Sequence, residues 1–211
     1  TGAKWSAVEK QNYMANPFMN TLTFQTPVRI VNNWDKTVQV AKHCIDLVKN
    51  TPASITKEYK YSDYGYHYEL GSAGTVSHIT NGSAEWYSVT GKLIESTMRF
   101  LPLMLDDLAD LEPTFASINY MVGDGAEHKD HESQQTGFNY FFADCDSTTY
   151  ARNADICESY RSVKDTGWIL DIQQLHSITN TGERVWFNLR FGKPFAYCRD
   201  WFAEHLVLTY E

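Results

Sequence analysis

His128 and Asp130 stand two residues apart in "GAEHKDHE", residues 125–132, with Lys129 between them. In an extended segment, side chains at i and i+2 project to the same face, so both can reach one ion while Lys129 points away. An imidazole and a carboxylate supply two of the three ligands of a facial metal site. A second imidazole completes the set and leaves the opposite side open for reactants. Taken alone, an HxD in so charged a run describes a solvated loop, because Lys, Asp and Glu normally face water.

The flanking segments change that reading. Upstream, "YMVGDGAEHKD" ends an apolar strand near Tyr120 and turns at Gly123, which puts the HxD at a strand rim. Downstream, "WILDIQQLHSITNTGERVWFNLRF" brings His176 on a new strand, at an interval that suits a meeting with His128 across a barrel. Arg184 follows across "NTGE", read as a hairpin whose Gly182 supplies a positive φ. In the strand after it, Arg184, Trp186, Asn188 and Arg190 point one way; Val185, Phe187, Leu189 and Phe191 point the other. A buried guanidinium needs an anionic partner, and a dicarboxylic acid bound to the metal would provide one through a bidentate pair.

HxD, then a distant His, then an Arg: this order resembles the motif of the iron(II)- and 2-oxoglutarate-dependent oxygenases. The run from Tyr120 through Gly123 to His128 looks like the entry to the HxD in the prolyl-hydroxylase-like branch. "HSITNTGERVWFNLRF" is similar to the corresponding segment of prolyl and aspartyl/asparaginyl hydroxylases. The resemblance covers roughly residues 114–192. It implies a double-stranded β-helix, a cupin-like jelly-roll barrel, in a chain that is mainly β with flanking helices. It further implies Fe(II) held by His128, Asp130 and His176, with 2-oxoglutarate as co-substrate. Arg184 takes the far carboxylate, and oxygen and a small-molecule or peptide substrate complete the reaction, usually a hydroxylation. The His176-to-Arg184 interval is shorter than the family's commoner one, so either the turn is tightened or Arg190 takes part instead. Tyr120, Asn139 and Tyr140 are expected near the barrel mouth, where they could bond the co-substrate. His131 is expected beside the site or on the surface, and Glu127 and Glu132 as solvated carboxylates.

The rest of the chain is read as support, in a single oxygenase domain over residues 1–211, with the β-helix core at 114–192. Thirteen Tyr, eleven Phe and six Trp, many in short runs between Gly, Asn, Asp and Thr, favour strands. Residues 1–33 suggest an arm or edge strand. Val38, Ala41, Ile45 and Val48 recur at helical spacing, which predicts a helix over 34–49 with Asn33 as N-cap and a stop at Asn50 and Pro52. "KEYKYSDYGYHYELGSAG" alternates Tyr with polar residues, as a hairpin does; His67 there either packs on the sheet or lines a groove. A second helical region is expected over 83–113, broken at Gly91 or Pro102. "STTYARNADICESYRSVKD", residues 147–165, reads as a polar lid-like loop, and the C-terminal "RDWFAEHLVLTYE" as a short helix or a strand.

A net charge of −8 gives no basic footprint for nucleic acid or an anionic membrane. Cys44, Cys145, Cys157 and Cys198 form no CxxC pair and are expected to be reduced. No apolar run is long enough to span a bilayer and no signal segment opens the chain, so a cytoplasmic location is expected. Two rivals follow from the same residues. "HKDH" is similar to the second half of the HxHxDH motif of metallo-β-lactamase-like hydrolases, with Ala126 where the first His should be. A cupin-like protein that binds a metal or small molecule without turnover has the same sequence pattern.

Overall fold

A computed structural model describes residues 25–29, 35–63, 65–90 and 108–205. In chain order these form β1 (Gln25–Arg29), helix α1 (Asp35–Asn50), β2 (Lys57–Ser62), β3 (Gly65–Glu69), β4 (Thr75–Asn81) and β5 (Ala84–Thr90). After them come β6 (Pro113–Val122), β7 (Gly125–His128), β8 (Thr136–Phe141), β9 (Ser147–Arg152) and β10 (Cys157–Arg161). The run ends with β11 (Thr166–Asp171), β12 (Leu175–Asn180), β13 (Arg184–Phe191) and helix α2 (Phe195–His205).

From β6 onward the chain alternates between two sheets, except at the hairpin β9–β10, which stays within one. β6, β8, β11 and β13 lie in a nine-stranded sheet of order β1-β11-β8-β13-β6-β5-β4-β3-β2, and β7, β9, β10 and β12 form a second of order β10-β9-β12-β7. This alternation is the double-stranded β-helix. β2–β5 extend the larger sheet well beyond the barrel, each strand antiparallel to the next.

In its middle, at β8 and β13, the larger sheet is buried on both faces, which is why those strands carry apolar residues at both parities. One face turns to the helices: Ala41, Cys44 and Ile45 of α1, and Cys198 and Phe202 of α2, share a core with Val76, Val89, Ile118, Phe138, Phe187 and Phe191. Burying each such large apolar side chain contributes about 1.5–3 kcal/mol. The other face closes the barrel around Met121, Phe141, Tyr160, Ile178 and Trp186.

Three expectations need correction. Residues 84–90 are strand, not helix: β5 is paired on both sides, and Trp86, Tyr87 and Val89 are the β-branched and aromatic types such a position favours. Gly91 and Pro102 lie outside the described residues, as do Asn33 and residues 1–24. The polar segment 147–165 is not a loop; it forms most of the hairpin β9–β10. Lastly, β12 and β13 are not a hairpin. β12 pairs with β7 and β9, and β13 with β6 and β8, so the chain crosses from one sheet to the other. A crossing needs no primed turn, and Gly182 accordingly has no positive φ. The turn is held instead by Asn180, whose Nδ2 donates to the Gly182 carbonyl (2.7 Å). The positive φ falls at Gly123 (84°), where a Cβ would collide with the Ser83 carbonyl at the corner before β7.

The four cysteines are free, with Cys44 and Cys198 buried. No described helix is long and apolar enough to cross a membrane.

Candidate metal centre

β7 and β12 are neighbours, and their register sets His128 opposite His176 with ring centroids 4.3 Å apart. Asp130 follows β7 directly, its backbone N–H donating to the Ile172 carbonyl (3.2 Å). The ligand atoms of His128, Asp130 and His176 all lie within 4.8 Å of one another.

Both imidazoles are oriented alike. His128 Nδ1 lies 2.9 Å from the Ala126 carbonyl and His176 Nδ1 lies 3.0 Å from the Gln174 carbonyl. A carbonyl only accepts, so each Nδ1 carries the proton and each Nε2 presents a lone pair. Those nitrogens face Asp130 Oδ1 at 3.5 and 3.6 Å. Two lone pairs and a carboxylate oxygen converging without a donor between them fit a divalent cation. Protons are the weaker substitute: burial disfavours a charged His128, but Asp130 and the Ala126 carbonyl outweigh it and leave its pKa above the ordinary value.

The second carboxylate oxygen is taken. Arg190 Nε lies 2.9 Å from Asp130 Oδ2. Burial alone would raise the Asp130 pKa, but the Arg190 charge and the two imidazoles hold it far below the usual carboxylate range. Arg190 therefore keeps Asp130 ionised and turns Oδ1 toward the histidines. Room for the guanidinium comes from Gly137, its cross-strand partner on β8, where a Cβ would strike it.

Deeper in the barrel stands Arg184, which is 0% exposed. Its Nη1 donates to Ser147 Oγ (3.0 Å) and its Nη2 to Thr149 Oγ1 (3.1 Å), both on β9. The guanidinium carbon lies 4.9 Å from the Phe141 ring centroid and 4.6 Å from that of Trp186. Nε has no partner, and among the described residues no carboxylate pairs with this side chain. Burial lowers its pKa, with Tyr160 opposing. A buried charge without a counter-charge costs several kcal/mol, which an anion beside it would offset. Arg184 and His176 border the same narrow inner cavity of about 20 Å³, together with Asn139, Thr149 and Asn188.

Of the other expected residues, Asn139 lines this cavity, accepts from Asn188 Nδ2 (2.6 Å) and donates to the Tyr160 hydroxyl (3.1 Å). Tyr120 and Tyr140 do not reach it. They face the helix side, where Tyr120 donates to Glu183 (2.9 Å) and has its pKa pushed up to about 12, by burial and then by Glu183. Tyr140 donates to Asp165 (3.0 Å). Strand parity decides this, since their neighbours Asn119 and Asn139 point inward. His131 is no ligand; it pairs with Ser133 (2.8 Å) at the mouth. Glu127 is not merely solvated but forms a bidentate pair with Arg152 (2.5 and 2.6 Å). Ser147, Thr149 and Tyr160 were missed because they sit in the segment read as a loop. Its alternation of hydroxyls with larger side chains was the available signal.

No family model matches the sequence, and no curated protein matches it. Solved structures do. AviO1 from Streptomyces viridochromogenes Tue57 aligns with a TM-score of 0.52 at 8% identity, over 90% of this chain and 97% of that one. The non-haem α-ketoglutarate-dependent carbocyclase SnoK from nogalamycin biosynthesis aligns at 0.50 and 8%, over 90% and 86%. The chain shares the fold of these two proteins. That β-helix carries no helix between β6 and β13, which separates it from the strand-helix alternation of metallo-β-lactamase-like hydrolases.

Proposed function

We propose that the protein is an iron(II)- and 2-oxoglutarate-dependent dioxygenase that hydroxylates a C–H bond. The observation that carries the reading is Arg184, a fully buried cation without an acidic partner among the described residues, bordering the same cavity as His128 and His176 of a two-histidine, one-carboxylate cluster. His128, Asp130 and His176 would hold the metal, and Arg184 the far carboxylate of 2-oxoglutarate. When bound, iron and 2-oxoglutarate supply the means to reduce oxygen and oxidise an unactivated C–H bond, the co-substrate leaving as succinate and CO2.

The chain's own work is positioning. The two Nδ1–H bonds to backbone carbonyls aim the imidazoles, and Arg190 fixes the Asp130 rotamer. Ser147 and Thr149 orient the Arg184 guanidinium, and Asn139 ties in the Tyr160 hydroxyl. Phe141 and Trp186 keep water from the charge and strengthen its attraction for an anion. Arg184 rather than Arg190 is assigned the carboxylate because Arg190 already has one in Asp130.

The test is succinate release from 2-oxoglutarate by the iron-loaded protein under air, with His176→Ala and Arg184→Met as comparisons. Metal-dependent release that both variants lose supports the assignment. Undiminished turnover in His176→Ala removes it.

A further inference from the structure

Outside the metal cluster the barrel opens into a cavity of about 630 Å³, whose floor is the extension β3–β6. Cross-strand register lays a single row of side chains over that floor. His67 faces Ser77, Ser77 faces Ser88, and Ser88 faces Asn119, one residue from each strand. Three strand spacings make this row about 14 Å long. It ends beside the metal site: His128, Asp130 and Arg190 border the same cavity.

The chemistry of the row is uniform. His67 Nδ1 and Ser77 Oγ are bonded at 2.6 Å. Asn119, 2% exposed, accepts through Oδ1 from Trp86 Nε1 (3.2 Å), Ser117 Oγ (3.2 Å) and Ser88 Oγ. An indole N–H can only donate, which fixes the amide's orientation. The Asn119 NH2 donates to no described residue. On the adjoining strand Asn188 donates to Asn139, and its Oδ1 accepts from no described residue. A donor and an acceptor amide thus stand side by side at the inner end of the floor. Phe115, 39% exposed, borders the same space with an apolar ring.

Charge is sparse there. Of the charged residues bordering the cavity, Asp130 and Arg190 are bound to each other, and Lys129 stands beside the ligands. Besides the His67 imidazole, whose pKa burial lowers, no ionisable side chain lies on the row from His67 to Asn119. A peptide recognised by charge, or an amino acid held by its ammonium and carboxylate, finds no counter-charges on this floor. Hydroxyls and amides beside an aromatic ring suit a compound with many hydroxyl groups and apolar C–H faces.

We propose that this floor is the substrate subsite and that it takes a neutral, multiply hydroxylated ring compound of the saccharide class; this rests on the oxygenase reading of the adjoining metal site. Ligand-observed NMR on the iron-free and iron-loaded protein tests it. The probes are methyl glycosides, di- and trisaccharides, an acidic, a basic and a neutral hexapeptide, and free amino acids. Saturation transfer to saccharides, absent for the peptides and amino acids, is expected. Asn119→Asp keeps the acceptor that Trp86, Ser88 and Ser117 need but removes the amide donor, and roughly tenfold weaker saccharide binding should follow. Phe115→Ala, at an exposed site where folding is not at risk, should weaken it too. Binding of peptides or amino acids alone, binding of no probe, or saccharide binding that both variants leave unchanged overturns the proposal. A protein that binds saccharides but never 2-oxoglutarate would cost the oxygenase reading and leave the subsite standing. One that turns over 2-oxoglutarate yet ignores every saccharide would do the reverse.

Discussion

At the mouth of the barrel Arg190 lies against Asp130, Nε to Oδ2 at 2.9 Å, whereas deeper along the same strand Arg184 meets the hydroxyls of Ser147, Thr149 and Tyr160 and two aromatic rings. Both guanidiniums leave the inner face of β13, and both are buried. What separates them is the partner. Arg190 is ion-paired to Asp130 and holds it in place; Arg184 has no carboxylate partner among the described residues. The contrast teaches that burial alone does not identify a binding residue. Burial without a counter-charge does.

The two arginines should therefore fail differently when removed. Arg190→Met leaves Asp130 buried without its guanidinium partner, and the metal-free protein should lose about 3–5 kcal/mol in denaturant unfolding. A loss under about 1 kcal/mol would show that the pair matters little. Arg184→Met removes a charge that no described carboxylate neutralises, so metal-free stability should hold or rise. 2-Oxoglutarate binding by the iron-loaded variant should nonetheless weaken about a hundredfold, close to 3 kcal/mol, by calorimetry. Equal stability losses in the two variants would erase the distinction.

Gly137 sharpens the comparison from the outside. Gly137→Ala crowds the Arg190 guanidinium against β8 and should destabilise the protein by about 1–2 kcal/mol, with weaker iron retention and unchanged fold by circular dichroism. The pH dependence is the smallest effect. Asp130 has its folded pKa depressed, so its contribution to metal-free stability is full above its unfolded value near 4. It is lost as pH falls below that. An acid titration of unfolding free energy should show this component in the parent protein and lose it in Arg190→Met.

Much of the site was legible before the structure. Type, spacing and strand context point to His128, Asp130 and His176, which the structure brings together, and the place of Arg184 after His176 singles out a residue that borders the same cavity. What was not legible depended on long-range geometry. Tyr120 and Tyr140 were placed at the mouth because a strand covered by helices on one face and a barrel on the other is apolar at both parities, so hydropathy cannot say which is inward. Ser147, Thr149 and Tyr160 looked like a surface loop, since one face of β9 and β10 meets solvent and the other presents hydroxyls to Arg184. The Arg190 pairing joins β13 to Asp130, two residues beyond the end of β7, a long-range contact that no local pattern encodes. Gly182 misled because its turn was assumed to close a hairpin.

The claim that Arg184 awaits the far carboxylate of 2-oxoglutarate is tested most directly by an anaerobic titration of the iron(II)-loaded protein with 2-oxoglutarate. The readout is the metal-to-ligand charge-transfer absorption that forms when the 2-oxo acid chelates the metal. The account predicts a saturable band in the parent protein, and in Arg184→Met a band that appears only at about a hundredfold higher concentration. A parent protein that binds iron but develops no band, or an Arg184→Met variant that titrates like the parent, would contradict it.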